Sequence, residues 1–128
     1  NFVQSMGGIL TVPWKSDPII PTKVNLAQSV KRMIDENCMI MFSKTYCPYC
    51  LTAKKLFAEI DQPIHIVELN RLPDGDEIQD VLEEMTGVHT VPRIFINGAC
   101  IGGSDEARKL HDEGKLRELA QKCATRRS

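Results

Sequence analysis

Two cysteines separated by two residues, Cys47 and Cys50 in Cys47-Pro48-Tyr49-Cys50, are the part of this chain best suited to chemistry. They follow the apolar run Met39-Ile40-Met41-Phe42 and precede a helical pattern from Leu51 to Ile60, which places both thiols where a strand turns into a helix. The first turn of a helix has unpaired backbone N–H groups and the positive end of the macrodipole, so a thiolate is favoured there over a thiol. Helix starts and nearby cations lower cysteine pKa values to about 3.5–7.5, and Lys44 is the nearby cation. Cys47 is therefore the candidate nucleophile. Cys50 follows about one turn along the helix, within reach of any mixed disulfide that forms on Cys47. Pro48 needs no N–H partner at the start of a helix and fixes φ between the two sulfurs, and Tyr49 is placed to wall a substrate groove.

Other residues could bind a ligand around this pair. Thr90-Val91-Pro92 precedes a strand, where a proline is confined to an edge, a bulge or the first position. Only about 5–6% of X–Pro bonds are cis, so the sequence does not settle the isomer. If Pro92 is cis, Val91 can offer its N–H and C=O to an extended peptide. Gly102-Gly103-Ser104-Asp105 provides a backbone without Cβ atoms, a capping serine and a helix start, which together suit a carboxylate. With Lys44 as a second receptor, the chain could hold a small dianionic thiol compound. A structural zinc site needs four ligands. There is no second Cys-x-x-Cys and no His-x3–5-His spacing among His65, His89 and His111, so no metal is expected and the histidines read as surface or packing residues. Cys38 reads as a small hydrophobe in a buried strand. Cys100 and Cys123 have no activating context, although either could oxidise or cross-link chains.

The elements that must position these residues follow from periodicity. Asn25 and Gln28 make a capping pair, and Leu26, Val30, Met33 and Ile34 mark a first helix to Glu36. Cys38 to Phe42 reads as a strand buried on both faces, followed by a helix with Ala53, Leu56, Phe57 and Ile60 on one side. Ile64 to Leu69 is a second strand, and Ile78, Val81, Leu82 and Met85 mark the apolar face of a third helix ending near Gly87. Arg93–Ile96 and Ala99–Ile101 flank Asn97-Gly98, a strong hairpin signal. A helix opens at Gly102-Gly103-Ser104 and runs through Leu110, and a last one spans Lys115 to Cys123 after Gly114. Two parallel strands joined by a helix, then an antiparallel hairpin and closing helices, describe an α/β thioredoxin-like fold: a four-stranded mixed sheet flanked by helices.

With 128 residues, the chain has the length of one domain with its own core. Residues 1–24, with three prolines and Gly7-Gly8, read as an N-terminal extension whose first five residues resemble the remnant of a cleaved tag before Met6. The domain is expected over 25–124, with a short tail at 125–128. Sixteen basic against 17 acidic residues, with no long run of one sign, exclude an electrostatic case for nucleic acid or an anionic membrane. No apolar stretch approaches the roughly 20 residues that span a bilayer. Five irregularly spaced cysteines do not form the disulfide framework of a small secreted domain, which points to a reducing compartment.

Lys44-Thr45-Tyr46-Cys47-Pro48-Tyr49-Cys50, Thr90-Val91-Pro92 and Gly102-Gly103-Ser104-Asp105, in this order and spacing, resemble the dithiol glutaredoxins of the Cys-Pro-Tyr-Cys type over about residues 25–124. The resemblance implies a glutathione-dependent thiol–disulfide oxidoreductase that reduces protein–glutathione mixed disulfides and protein disulfides. In that family Cys47 would attack the mixed disulfide and Cys50 would resolve protein disulfides. Lys44 and Gln79 would meet the glycine end of glutathione, Thr90-Val91 and a cis Pro92 its cysteinyl unit, and Gly103, Ser104 and Asp105 its γ-glutamyl end. Glutathione is then the co-substrate, and the partners are glutathionylated or disulfide-containing proteins. A monomer is implied, in the cytoplasm or alternatively the mitochondrion. Three other readings differ in class, one being a regulatory binding module without turnover, in which the paired cysteines would have little purpose. A general thioredoxin would show Trp-Cys-Gly-Pro-Cys, whereas Trp14 lies far from the motif. Some glutaredoxins instead bridge two chains with a glutathione-ligated [2Fe–2S] cluster, usually without a proline after the first cysteine, which Pro48 disfavours.

Overall fold

A computed structural model describes residues 23–60 and 62–127. Most of the expected extension, including its tag-like start, lies outside the described residues. The chain runs α1 (Lys23–Glu36), β1 (Met39–Ser43), α2 (Pro48–Ala58), β2 (His65–Glu68), a 3-10 turn (Leu69–Arg71), α3 (Gly75–Thr86), β3 (Arg93–Ile96), β4 (Ala99–Gly102), α4 (Ser104–Asp112) and α5 (Lys115–Arg127). Among the described residues, no helix is long and apolar enough to cross a membrane.

The four strands form one mixed sheet in the order β2-β1-β3-β4. β1 and β2 are parallel across the α2 crossover, with Ile40 beside His65 and Ser43 beside Glu68. β3 runs antiparallel to β1, and the β3–β4 hairpin turns at Asn97 (φ 53°) and Gly98 (φ 85°), the doubly left-handed geometry for which Asn-Gly is suited.

Alternation along β1 divides the core into two. Met39 and Met41 face Ala53, Leu56 and Phe57 of α2, together with residues from α4 and α5. Ile40 and Phe42 face Leu26, Val30 and Ile34 of α1 and Ile78, Val81 and Leu82 of α3. Every residue of β1 is buried, as expected for a central strand covered on both faces. On the α1–α3 side Phe42 and Phe95 meet edge to face at 6.0 Å and 87°, an arrangement worth about 0.5–1.5 kcal/mol beyond its burial.

Several boundaries differ from the expected ones for identifiable reasons. α1 starts at Lys23, two residues before the expected cap Asn25, and Lys23 is ion-paired to Glu84 of α3. α5 continues to Arg127, past the expected tail boundary. Met85 belongs to α3 but not to its apolar face; it is 46% exposed and lines a groove. Ser104 is not the cap of α4. That position belongs to Gly103, and Glu106 one turn ahead accepts the Gly103 N–H at 2.7 Å, half of a capping box.

The reading of Cys38 as a lone hydrophobe is also corrected. Cys38, just before β1, forms a disulfide with Cys123 of α5, with Cα atoms 5.6 Å apart. The bond joins the entry of the central strand to the last helix across 85 residues of chain, a pairing that spacing does not reveal. Cys47, Cys50 and Cys100 are the free thiols.

Candidate active site

Cys47 caps α2. Its backbone is extended (φ −85°, ψ 119°), and Pro48 opens the helix at a position where its missing N–H costs nothing. The Cys50 amide donates to Cys47 Sγ at 3.4 Å, and the Leu51 amide to the Cys47 carbonyl at 3.0 Å. The Cys47 amide donates to the Lys44 carbonyl at 3.1 Å, which closes the turn between β1 and α2. Thr45 ties that turn to Asn70 by two bonds, from its amide at 3.0 Å and to its hydroxyl at 2.7 Å. The 3-10 turn thus braces the loop that presents Cys47.

The two thiols differ in environment. Cys47 is half-buried, and Cys50 is enclosed with no exposed surface. Burial pushes the Cys50 pKa up, partly offset by the Lys44 backbone and the Ser43 hydroxyl. Cys50 therefore remains a thiol at neutral pH.

Cys47 Sγ faces the Val91 carbonyl at 3.8 Å, and the Val91–Pro92 bond is cis. From there an open groove of about 790 Å³ extends between the Thr86–Arg93 segment and the start of α4. Among its lining residues are Tyr49, Thr90, Val91, Pro92, Gly103, Ser104 and Asp105, so the structure brings these seven predicted residues to one surface. Lys44 and Gln79 do not line it. Lys44 sits in the turn before Cys47, and Gln79, buried on α3, donates its amide to the His89 carbonyl at 2.5 Å and so supports the loop leading to Thr90. One amide proton of Gln79 remains for other use.

The glycine loop beside α4 is tightly built. A Cβ on Gly103 would stand 2.9 Å from Arg93 Nη2 and 3.3 Å from the Pro92 carbonyl. A Cβ on Gly102, at φ 109°, would strike the Glu106 side chain at 2.7 Å. The Gly103 N–H holds the Glu106 carboxyl below its ordinary pKa, and the Arg93 guanidinium adds to the effect. Because that N–H is already used, the first-turn amides of Ser104 and Asp105, which have no acceptor within the helix, are the donors left for an anion. Sequence reasoning missed Arg93, which is buried, and Glu106, which is exposed, the two side chains that support this loop. Glu106 was findable as the acidic residue three places after Gly103. Arg93 looked like an ordinary strand start.

Of the histidines, His89 pairs with Glu83 at 2.8 Å and His111 with Glu59 at 3.3 Å. Cys100 is exposed on β4 and lines the far side of the groove.

A glutaredoxin family model matches residues 39–101. The mitochondrial glutaredoxin-2 of Homo sapiens is 46% identical over 99 residues, covering 77% of this chain and 60% of its own length. The same protein of Mus musculus is 45% identical over 120 residues, covering 94% of this chain and 74% of its own. The chain spans 60–63% of the length of three such mammalian relatives. A crystal structure of a buckwheat glutaredoxin–glutathione complex superposes with a TM-score of 0.77 at 38% identity, covering 80% of this chain and 93% of that one.

Proposed function

Because the chain belongs to the glutaredoxin family, we propose that it is a glutathione-dependent thiol–disulfide oxidoreductase acting on protein–glutathione mixed disulfides and on protein disulfides. The observation that carries this reading is the asymmetry of the pair: Cys47 Sγ is half-buried and faces the carbonyl of Val91, a groove-lining residue, while Cys50 is enclosed with its amide on that sulfur.

Cys47, as the thiolate, attacks the glutathione sulfur of a mixed disulfide. The new S–S bond joins glutathione to Cys47, and the protein sulfur leaves with the electron pair and takes up a proton. A second glutathione thiolate attacks the bound one, giving glutathione disulfide and free Cys47. With a protein disulfide, Cys47 becomes linked to the substrate and Cys50 displaces it. Burial keeps Cys50 protonated until then, so the two thiols do not compete for the first attack.

The groove suits glutathione, a tripeptide thiol with a carboxylate at each end. The Val91 backbone beside Cys47 suits the extended cysteinyl unit, and Tyr49 walls it. The amides of Ser104 and Asp105 suit the γ-glutamyl carboxylate, and the Asp105 carboxylate suits its ammonium group. Lys44, with the remaining amide proton of Gln79, suits the glycine carboxylate. The buckwheat relative solved with glutathione supports this choice of ligand. The human and mouse relatives are named as mitochondrial, which supports a mitochondrial placement over a cytoplasmic one.

The test is NADPH-coupled, glutathione-dependent reduction of a small glutathione mixed disulfide by wild type, Cys47→Ser and Cys50→Ser proteins. Cys47→Ser is expected to be inactive and Cys50→Ser to keep substantial turnover. A wild type without turnover would remove the enzyme reading and leave cluster binding as the alternative, visible as a brown colour after anaerobic purification.

A further inference from the structure

Glu68 is a charged side chain that these steps do not use. It closes β2 and alternates with Val67, which packs on the α1–α3 side, so Glu68 lies on the α2 side of the sheet. The β1–β2 register puts Ser43 directly beside it. Ser43 follows Met41 by two residues and shares its face, also under α2. One turn of α2 carries Cys50 and Lys54 above this pair, four residues apart on one side of the helix.

Lys54 Nζ meets Glu68 Oε2 at 2.6 Å. Glu68 Oε1 is enclosed without a hydrogen-bond partner, and it is the only such side-chain oxygen or nitrogen among the described residues. An enclosed carboxylate oxygen without a donor is costly and calls for an explanation. The adjacent hydroxyl is that of Ser43, itself with no exposed surface, which makes a long 3.5 Å contact to the Lys44 carbonyl. A hydroxyl can accept from one neighbour while donating to another. Cys50, also enclosed, must lose its proton to act and has no exposed surface through which to lose it.

We propose that Ser43 and Glu68 form the path by which the Cys50 proton leaves when Cys50 resolves a mixed disulfide on Cys47. This deepens the dithiol half of the proposed function and rests on it. Cys50 S–H donates to Ser43 Oγ while the Ser43 O–H turns to Glu68 Oε1. As the Cys50 sulfur bonds to Cys47 Sγ, the bond from Cys47 to the substrate sulfur breaks and the substrate leaves as a thiolate. The thiol proton passes to Ser43, and the Ser43 proton passes to the carboxylate. Glu68, whose side chain is 23% exposed, then releases it to water, from which the departing thiolate is protonated.

The charges around the path are consistent with this order. Burial pushes the Glu68 carboxyl up, but the Lys54 ammonium, the Ser43 hydroxyl and Arg71 of the 3-10 turn together hold it below its ordinary value. It is therefore ionised at neutral pH, able to accept a proton and quick to pass it on. Ser43 likewise offsets part of the rise at Cys50, where Cys47 is the other facing thiol.

The experiment is a rapid-mixing reaction of the reduced protein with a small glutathione mixed disulfide, quenched in acid and read by intact mass from pH 6 to 9. Glutathione first adds to Cys47 and is then lost as the Cys47–Cys50 disulfide closes. Glu68→Gln and Ser43→Ala are expected to slow the second phase at least about tenfold, while Ser43→Thr, which keeps the hydroxyl, stays near wild type. In the two slow variants the rate should rise about tenfold per pH unit, as for a thiol ionising into solvent, where wild type is flatter. The first phase, which needs only Cys47, should be unchanged. Wild-type rates and pH profile in both variants would overturn the proton path while leaving the function intact. A wild type that never acquires glutathione would overturn the function, and the path with it.

Discussion

Removing the bond between Cys38 and Cys123 should destabilise the domain without affecting its chemistry. The link spans 85 residues, so it removes loop entropy equivalent to about 4.5 kcal/mol from the unfolded chain. Measured losses are commonly smaller because real unfolded chains are compact, and about 3 kcal/mol is a reasonable figure for this domain. Cys123 is fully enclosed and Cys38 partly so, which means replacement by alanine also loses packing of about 1 kcal/mol. The assay is urea unfolding of Cys38→Ala/Cys123→Ala against its parent, both carrying Cys50→Ser so that the active-site pair cannot contribute a bond. With a urea slope of about 1.5 kcal/mol per molar, the combined loss of about 4 kcal/mol should lower the midpoint by about 2.7 M. Glutathione-dependent turnover at 25 °C should be unchanged, because the bond lies between the start of β1 and α5, away from the groove. A midpoint within about 0.3 M of the parent would refute the reasoning, since the unfolded chain would then gain nothing from losing the link.

Two glycines separate steric from backbone cost. Gly75→Ala would place a Cβ 1.8 Å from the Leu69 carbonyl, so α3 must move off the 3-10 turn; a loss of about 3 kcal/mol or more is expected in chemical denaturation. Gly98→Ala has open space but keeps φ at 85°, and should cost only about 1–2 kcal/mol, read in the same experiment. Glu106 has a folded pKa below its unfolded one, so its contribution to stability is present above about pH 4.3 and is lost as pH falls through the folded value. The stability difference between wild type and Glu106→Gln should therefore be complete at pH 6 and vanish in strong acid, as followed by thermal unfolding across pH. Gly103→Val should raise the KM for glutathione more than it lowers kcat with a small glutathione mixed disulfide, because it displaces Arg93 and the loop that presents the Ser104 and Asp105 amides.

Features set by local sequence were legible in advance. The four-residue spacing of Leu26, Val30 and Ile34 marked α1 because those side chains all meet one core. Gly87 ended α3 because the chain there adopts φ 82°, and Asn97-Gly98 turned the hairpin for the same kind of reason. The placement of the Cys47–Cys50 pair and most of the groove could be read from three short motifs, since the backbone at each is dictated by glycine, proline or a helix start. Features that depend on two distant segments meeting were not legible. Cys38 has the neighbours of an ordinary strand residue, and its partner arrives only when α5 packs on the sheet. Met85 fits the apolar stripe of α3, yet it is exposed and borders the groove. Ser104 has the right chemistry for a cap, but the Glu106 carboxylate and the Gly103 amide took the position one residue earlier.

The hairpin has a consequence for self-association. β4 is an outer strand with Ala99 and Cys100 exposed, and an unpaired ladder of that kind invites a second chain to extend the sheet. Here the ladder is only four residues long, its pairing with β3 shifts between Ile94 and Phe95, and it ends at Gly102 with φ 109°. The bend deprives an incoming strand of a straight template. The edge beside the groove is thereby a poor template for sheet growth, and the exposed thiol of Cys100 lies on it.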